Sequence, residues 1–500
     1  MWNRKNGAWK KLLRSILFIT VLALLIGAVS FTLEGKSAKA RLSLFFSQET
    51  SYDAMYFGTS HVINGFLPQE LWEEFGITSY NFGGNGMNLP ATYWLIKNVL
   101  DYTKPKLIFI DCSKLSSDIM SNTTIQQAHG IWDAFPLTKN KWLAVKDIFE
   151  PEERLEFLWK LSIYHNRWNE LTKDDFGVTY SVNHGAIPYF TVAVPKKFVP
   201  ISNESKSPEN TNGVIYLRKA IELCQSQGIE VVLTYLPFPA SATKQKEANL
   251  AADIAKEYGI PYLNFLKMEN IVDFHTDLKD ADHLNFSGAC KITSYLGQYL
   301  TDNFHFSSHK EDKAYEQWDK DYLQYAQTTT NRFSWQKTLD SNLLLLSNKK
   351  YSSCIYIREG SALFNDTRIL GLINNICAGK NLEKLNLAAE KGEEYFLFAD
   401  NLNETFFECI GDDTGSSQSF PAPIHYGTEP DGSHALSIGN AKYLLEDNTP
   451  ADIQIAIIDN TNGSIIKTMS FRVSVSESKL TATRGDYLQN VNASPTGGND

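Results

Sequence analysis

The chain is poor in cysteine and has no closely spaced cysteine pair. Its six cysteines are scattered as Cys112, Cys224, Cys290, Cys354, Cys377 and Cys409, with no Cys-x-x-Cys among them. This spacing excludes a disulfide scaffold. The first three lie in apolar segments typical of buried free thiols, whereas a disulfide among the last three stays open.

An excess of positive charge is also absent. The 500 residues include 47 Lys and Arg against 57 Asp and Glu, a formal net charge of -10. This balance argues against nucleic acid as a partner. Apolar residues make up 43% and charged residues 21%, which is typical of a globular protein. No internal repeat is visible, and the length predicts two or three domains.

Long apolar runs are absent except at the N-terminus, where residues 16–33 carry no charge. Five basic residues precede this run: Arg4, Lys5, Lys10, Lys11 and Arg14. A basic flank on this side predicts a signal anchor across residues 1–40, with a single pass through the cell membrane and the bulk of the chain extracytoplasmic. The alternative is a cleaved signal peptide, for which Ala38-Lys39-Ala40 resembles a cleavage site.

Strand and helix patterns alternate over residues 41–306, which predicts an α/β domain. Strands are predicted at 53–57, 77–82, 107–110, 230–236 and 260–265, and the apolar runs at 107–110 and 230–236 indicate strands buried on both faces. Helical spacing occupies 67–75, 90–102, 213–227 and 243–258, and Ser287 is placed to cap a last helix through residue 300. Crossovers of this kind produce a parallel sheet with helices on both faces.

Three further segments complete the predicted organisation. An insertion at about 113–208, rich in Trp, is placed to form a lid or substrate wall, or a helical side-domain that only packs. A charged helix bridges 307–332, and short strands with Asp-Gly and Asn-Gly turns predict a β-sandwich-like domain at 333–480. That domain has no serine–histidine motif and is expected to perform no chemistry. The polar tail at 481–500 is expected to be disordered.

Two short motifs carry the candidate chemistry. Ser60 follows the first strand, where a serine presents its hydroxyl at the active edge of a parallel sheet; the alternative is a plain helix cap. Asp280 and His283 lie three residues apart, so the carboxylate can hold one ring nitrogen while the other faces a nucleophile. A role for His61 as a second base is disfavoured, because the side chains of adjacent residues such as Ser60 and His61 rarely meet in a useful geometry. The acidic cluster around His275 and His283 lacks a recognisable metal-ligand spacing, and no metal or cofactor is predicted.

These blocks resemble the SGNH, or GDSL-like, hydrolase family. The resemblance rests on Gly58-Thr59-Ser60, Asn81-Phe82-Gly83-Gly84-Asn85-Gly86 and Asp280-x-x-His283, and it covers residues 53–304. It implies a flavodoxin-like α/β fold with Ser60 as nucleophile, His283 as base and Asp280 as its orienting group. Gly86, or alternatively Gly84, would contribute an oxyanion N–H.

The chain departs from the family at two places. Thr59-Ser60-His61 stands where the family often has Asp-Ser-Leu. The family's Gly-x-Asn-Asp block is replaced by Asp111-Cys112-Ser113 after the third strand. The usual asparagine oxyanion donor therefore has no counterpart there, and Asn85 is the candidate substitute.

The layout is similar to that of membrane-anchored SGNH-like proteins of bacterial cell-envelope acylation. This similarity implies a serine esterase or acetyl-type O-acyltransferase that acts on an acylated glycan or cell-wall polymer. It also implies a membrane protein that supplies the acyl donor. The alternative is a non-catalytic SGNH-fold envelope protein that binds a polysaccharide.

Overall fold

The structure, a computed structural model, describes residues 2–47, 51–193, 204–377, 380–418, 423–445, 451–476 and 479–485. It divides into two compact units. The first comprises Met1–Ile187, Val199–Glu269 and Thr293–Tyr322. The second comprises Pro188–Phe198, Asn270–Ile292 and Leu323–Asp500.

A five-stranded parallel sheet forms the centre of the first unit. Its strands are β1 (Ala54–Gly58), β2 (Ser79–Gly83), β3 (Leu107–Asp111), β4 (Glu230–Tyr235) and β5 (Tyr262–Asn264). Their order is β2-β1-β3-β4-β5, and every pair is parallel. Each residue of β1, β2 and β3 is buried, which confirms the burial predicted for β3 from its apolar run. This is the flavodoxin-like strand order, in which β1 and β3 flank the topological switch point.

Of the four helices predicted between the strands, three begin and end within two residues of the predicted bounds, whereas the one predicted at 90–102 ends three residues early, at Val99. Eleven α-helices precede β5 among the described residues. They are α1 (Trp2–Leu33), α2 (Lys36–Ser47), α3 (Ser60–Gly65), α4 (Pro68–Phe75), α5 (Leu89–Val99), α6 (Ile125–Trp132), α7 (Lys139–Ile148), α8 (Pro151–Leu158), α9 (Leu161–Tyr164), α10 (Asn212–Ser226) and α11 (Ala242–Tyr258). Local signals set their ends: α4 starts with Pro68 in its first turn and stops at Gly76 in the left-handed region.

Two later helices correct the predicted boundaries. Helix α12 (Phe286–Phe304) is capped by Asn285 rather than Ser287, because the Asn285 Oδ1 accepts the Gly288 N–H at 3.2 Å. Helix α13 (Glu316–Trp335) starts nine residues later and ends three residues later than the charged helix predicted at 307–332. The Asp312 side chain, which accepts the Ala314 N–H at 2.9 Å, holds the preceding residues in a separate short turn.

Helix α1 fits the predicted apolar segment. Its stretch Trp9–Leu33 is 25 residues long with a mean hydropathy of 2.6, and only 6% of its most apolar window is buried. That length is sufficient to cross the hydrocarbon core of a bilayer. A signal sequence has the same properties, so the choice between an anchor and a cleaved peptide stays a prediction.

The predicted insertion packs largely into the first unit. It contributes α6 to α9 and two short 3-10 turns, and Trp132, Phe149 and Phe157 are buried in the main core. The other three tryptophans, Trp142, Trp159 and Trp168, are between 46% and 71% exposed. Residues 194–203 of this segment lie outside the described residues, and its role as a lid stays a prediction.

The second unit contains two antiparallel sheets. Their strands are β6 (Tyr351–Ile357), β7 (Tyr395–Asp400), β8 (Thr405–Ile410), β9 (Gly415–Ser417), β10 (Ile424–Thr428), β11 (His434–Ile438), β12 (Ala441–Leu445), β13 (Ile453–Asp459), β14 (Ile465–Ser476) and β15 (Lys479–Arg484). One sheet has the order β15-β14-β13-β6-β7-β8 and the other β12-β11-β10-β9. Phe396 and Tyr426, one from each sheet, stack at 4.2 Å in a shared core. Antiparallel sheets in this region are therefore confirmed.

The β-rich prediction missed three helices in this unit: α14 (Leu339–Leu346), α15 (Thr367–Ile376) and α16 (Glu383–Lys391). Helix α15 buries Ile369, Leu372, Ile373 and Ile376, a helical spacing that is visible in the sequence. All residues of β6 and β7 are buried, so the larger sheet is covered on both faces and is not one half of a simple sandwich.

Two predictions about the last residues and the thiols are settled. Strand β15 continues to Arg484, beyond the predicted start of the tail, because the Arg484 guanidinium donates to the Gln336 and Phe333 carbonyls at 2.6 and 3.1 Å. Residues 486–500 lie outside the described residues. All six cysteines are free thiols, so the disulfide left open among Cys354, Cys377 and Cys409 is absent.

Candidate active site

The candidate nucleophile lies at the carboxyl end of β1. Ser60 is the first residue of α3 and is partly exposed. Thr59 precedes it in an extended conformation and caps the helix, because its Oγ1 accepts the His61 N–H at 3.3 Å. The alternative role of Ser60 as the cap is therefore wrong. Ser60 thus lies at the switch-point edge of the sheet, where the sites of parallel α/β sheets are typically found.

A buried polar cluster at the end of β3 fixes the cap. The Asp111 carboxylate accepts the Thr59 hydroxyl at 3.1 Å and a close hydrogen bond from the Ser113 hydroxyl, and the Thr59 and Ser113 hydroxyls lie 3.2 Å apart. Burial raises the pKa of Asp111, and the hydrogen bonds from Ser113 and Thr59 offset only part of that rise. This cluster holds Thr59, the residue that caps α3, against the end of β3.

Two glycines let the ends of β1 and β2 approach α3. A Cβ on Gly83 would lie 2.6 Å from the Ile63 nitrogen and 3.0 Å from the Thr59 carbonyl oxygen. Gly58 has φ +154°, and its Cβ would lie 2.4 Å from that of Asp111. A side chain at either position would displace the first turn of α3, and with it Ser60.

Asn81 ties the same elements together with its side chain. Its Nδ2 donates to the Val62 and Phe66 carbonyls at 2.7 and 2.8 Å, and its Oδ1 accepts the Gly83 N–H at 2.9 Å. The amide therefore satisfies the end of α3 and the end of β2 at once. The sequence predicted Asn81 only as part of a motif and not as a positioning residue. Because a buried amide needs hydrogen-bond partners, an asparagine inside a predicted strand was the signal that could have indicated this role.

The three candidate oxyanion donors differ in their surroundings. The Gly84 N–H donates to the Gly58 carbonyl at 2.8 Å and is thus already engaged. Gly86 has φ +57°, and its carbonyl accepts the Thr123 N–H at 3.0 Å, whereas its N–H has no acceptor in the described part of the chain. Asn85 is exposed, and its carbonyl accepts the Asn122 amide at 2.7 Å. Gly86 is the better placed of the two glycines.

His61 packs on an aromatic ring. Its ring centroid lies 4.6 Å from that of Phe238, in the segment that follows β4. This contact places His61 at the carboxyl edge of the sheet and favours the structural or substrate-contact role over that of a second base.

The candidate base and its orienting group form one hydrogen-bonded pair. The His283 Nδ1 lies 2.9 Å from Asp280 Oδ1 and 3.1 Å from Oδ2. Asp280 Oδ1 also accepts the Asp282 and His283 N–H groups at 2.9 and 3.0 Å, which closes a tight turn around the carboxylate. A carboxylate at Nδ1 favours the tautomer with the proton there, so Nε2 is the nitrogen that can accept a proton.

The charge of Asp280 is held by its neighbours. Partial burial would raise its pKa, but the Asp282 N–H, the His283 ring and the Lys279 ammonium together bring the pKa below its ordinary value. The Asp280 side chain is 48% exposed and that of His283 is 23% exposed. The Asp280 carboxylate is therefore ionised, and both side chains are accessible to solvent.

A buried frame supports the turn that carries the pair. Asp277 is fully buried and accepts the Lys291 ammonium at 2.7 Å and the Asp273 N–H at 2.8 Å. Asn285 donates to the Thr276 carbonyl at 2.7 Å. Leu278 and Leu284 form an isolated bridge across the base of the turn. These contacts fix both ends of the loop.

The acidic cluster in this segment separates into pairs. His275 Nδ1 lies 3.1 Å from Asp273 Oδ1, a second histidine–carboxylate pair on the exposed surface. Within the described ranges, no group of three or more His, Cys, Asp or Glu side chains is arranged to hold a metal ion.

Ser60 belongs to the first compact unit, whereas Asp280 and His283 belong to the second. The structure thus gives the local geometry of each half, and the hydrogen-bonded set of all three residues stays a prediction.

Comparisons with known proteins return little. No family profile matches the chain, and no curated protein matches it. Among solved structures, it is similar to a crystal structure from Bacteroides fragilis NCTC 9343 described as a "putative acylhydrolase", with 12% identity and a TM-score of 0.27. The match covers 54% of this chain and 98% of the other. At this TM-score the similarity carries no argument, and membership of the SGNH family stays a prediction.

Proposed function

We propose that the protein is an extracytoplasmic, membrane-anchored serine esterase or O-acyltransferase of the SGNH type. The observation that carries the proposal is the Asp280–His283 pair, with the carboxylate on Nδ1, in a chain whose Ser60 follows β1 at the switch point of a 2-1-3-4-5 sheet. A nucleophile, a base and an orienting carboxylate are the parts that acyl transfer requires.

In the proposed reaction, Ser60 Oγ attacks the carbonyl carbon of an ester while His283 Nε2 takes the serine proton. The tetrahedral intermediate collapses, and His283 returns that proton to the leaving alcohol. A water or a sugar hydroxyl then attacks the acyl-serine and gives its proton to His283. The second intermediate collapses, and His283 returns that proton to the departing Ser60 Oγ. The Gly86 N–H is the proposed oxyanion donor, and loss of one such donor typically costs about 10²–10³ in rate.

The proposed substrate is an acylated glycan or cell-wall polymer outside the cell. Helix α1 would hold the enzyme at the membrane, and a membrane protein would supply the acyl donor in the transferase variant. Support comes from the apolar stretch Trp9–Leu33 and its basic N-terminal flank.

A non-catalytic polysaccharide-binding protein is the second candidate. Two observations favour it: the buried Asp111 cluster stands in place of the asparagine donor block, and the Gly84 N–H is engaged by Gly58. In this alternative the Asp280–His283 pair would only stabilise its turn.

A fluorophosphonate probe on the full-length protein in detergent separates the two candidates. We expect labelling of the wild type, and loss of labelling in Ser60→Ala and His283→Ala. His275→Ala is the matched control, because it removes a histidine paired with an aspartate in the same segment. Labelling that persists in Ser60→Ala would exclude Ser60 as the nucleophile, and a wild type that never labels would leave the binding protein as the better description.

A further inference from the structure

A cavity of about 560 Å³ lies in the first unit, between α2 and the insertion. Apolar side chains form much of its wall, including Phe46, Phe135, Phe157 and Val178. Three lysines, Lys39, Lys141 and Lys160, also line it. The cavity therefore combines an apolar wall with several ammonium groups, a combination that suits an amphiphile with an anionic head.

The three lysines differ in their partners. Lys39 and Lys160 both pair with Glu34, and Lys160 also donates to the Asp133 carbonyl at 3.1 Å. Lys141 is 6% exposed and donates to the Trp132 and Phe135 carbonyls, both at 2.7 Å. Within the described residues, no carboxylate pairs with it.

One carboxylate, Asp133, is among the described residues that line the cavity. Its Oδ1 lies 2.9 Å from the His129 Nδ1, and its Oδ2 accepts the Tyr164 hydroxyl at 3.0 Å. A buried ammonium bound only to carbonyls is costly unless an anion compensates it. Lys141 is therefore the one lysine of the cavity with no direct carboxylate partner among the described residues.

The cavity lies beside the end of the apolar helix. The Arg167 guanidinium donates to the Leu33 and Glu34 carbonyls at 2.8 and 2.7 Å, which fixes the last turn of α1 against the insertion. Trp168 and Phe176, on the short turns that hold this contact, are 71% and 68% exposed. Exposed aromatic rings at the end of a spanning helix are typical of the membrane–water interface.

We propose that this cavity binds the anionic, phosphate-bearing head group of a lipid from the membrane surface, with Lys141 as its central contact and the apolar wall against the acyl chain. The inference rests on the membrane anchoring in the proposed function. It is independent of Ser60 chemistry, so failure of the esterase proposal would leave it standing.

Lipid binding is measured by calorimetry on the full-length protein in a non-ionic detergent. The probes are dihexanoyl phosphatidylglycerol, dihexanoyl phosphatidylcholine and inorganic phosphate. We expect the anionic lipid to bind at least about tenfold more tightly than the zwitterionic one, and Lys141→Met to weaken that binding at least about tenfold. Lys146→Met, which removes an exposed charge from the same helix α7, should leave the affinity unchanged.

A cavity-filling variant protects the test against misfolding of Lys141→Met. Ser43 is a half-buried lining residue on α2, so Ser43→Trp fills the cavity and keeps all three lysines. We expect it to abolish lipid binding while Ser60→Ala binds like the wild type. Unchanged binding in Ser43→Trp or in a folded Lys141→Met, or equal binding of both lipids, would overturn the site. Inorganic phosphate that binds as tightly as the anionic lipid would overturn the lipid as its source.

Discussion

Replacing Gly83 with alanine tests how tightly Ser60, the candidate nucleophile, is positioned. The added Cβ would meet the Ile63 backbone nitrogen at 2.6 Å, the Ile63 Cγ1 at 2.8 Å and the Thr59 carbonyl oxygen at 3.0 Å. Two of these atoms are backbone atoms of the first turns of α3, so a rotamer change cannot relieve the contact. The helix or the end of β2 has to move.

The size of that movement follows from the contact distances. Ordinary contact begins at 3.4 Å, so the Ile63 nitrogen must retreat by about 0.8 Å. Overpacking of a buried site typically costs about 1–3 kcal/mol. A displacement near 1 Å of a reacting group costs about 10² in rate. We therefore expect Gly83→Ala to lower stability by about 1–3 kcal/mol and probe labelling of Ser60 by about 10².

Thermal unfolding of the full-length protein and the rate of fluorophosphonate labelling measure the two effects. Gly130→Ala is the matched control, because a Cβ at this helical glycine has nothing within 4 Å. It should raise stability by up to about 1 kcal/mol, since alanine favours the helix. A Gly83→Ala protein that unfolds at or above the wild-type temperature and labels at the wild-type rate would refute the steric argument.

Three further predictions concern the base, the buried lysine and the second unit. Asp280→Asn keeps an oxygen that accepts the Asp282 and His283 N–H groups but loses the charge, so the labelling rate should fall by about 10²–10⁴ with little change in melting temperature. The control Asp273→Asn should leave the labelling rate unchanged. Equal labelling rates in Asp280→Asn and the wild type would exclude the orienting role. Burial lowers the pKa of Lys141 to about 8, although Asp133 and Glu34 raise it and Lys160 and Lys39 lower it further. Between about pH 8 and 10.5 the unfolded chain thus binds more protons than the folded chain. The free energy of unfolding should therefore rise across this window by up to about 3 kcal/mol more in the wild type than in Lys141→Met. Parallel curves of unfolding free energy against pH for the two proteins would contradict this. A chain that ends near Thr330 should lose labelling, because it lacks the Asn375 amide that donates to Thr276 at 2.6 Å. Full labelling of this truncation would show that the turn that carries Asp280 keeps its conformation without the second unit's C-terminal part.

The sequence predicted the parallel sheet well because its signals are local. Strands β1, β3 and β4 each contain a short continuous apolar run, and the helices between the strands have their own periodicity and end signals. The Asp280–His283 pair was also predictable, because three residues in a tight turn leave the side chains few arrangements.

Contacts between distant residues were not predictable. Thr59 proved to be the helix cap, and its partner Asp111 lies 52 residues away. The Gly84 N–H bonds to Gly58 across two strands, so its loss as an oxyanion donor follows from strand pairing alone. Residues 270–292 group with the C-terminal unit through contacts such as Asn375–Thr276, 99 residues apart. No local pattern encodes such pairings.

The free cysteines have a practical consequence for experiments. Burial raises the pKa of Cys224 to about 12 and that of Cys409 to about 11, and it raises those of Cys112 and Cys354 as well. Since the thiolate is the reactive form, these side chains should react very slowly with maleimides and mild oxidants at neutral pH. A cysteine introduced on an exposed surface, for instance in place of Lys146, would therefore be the preferred site for a fluorophore or spin label without first removing those four native thiols.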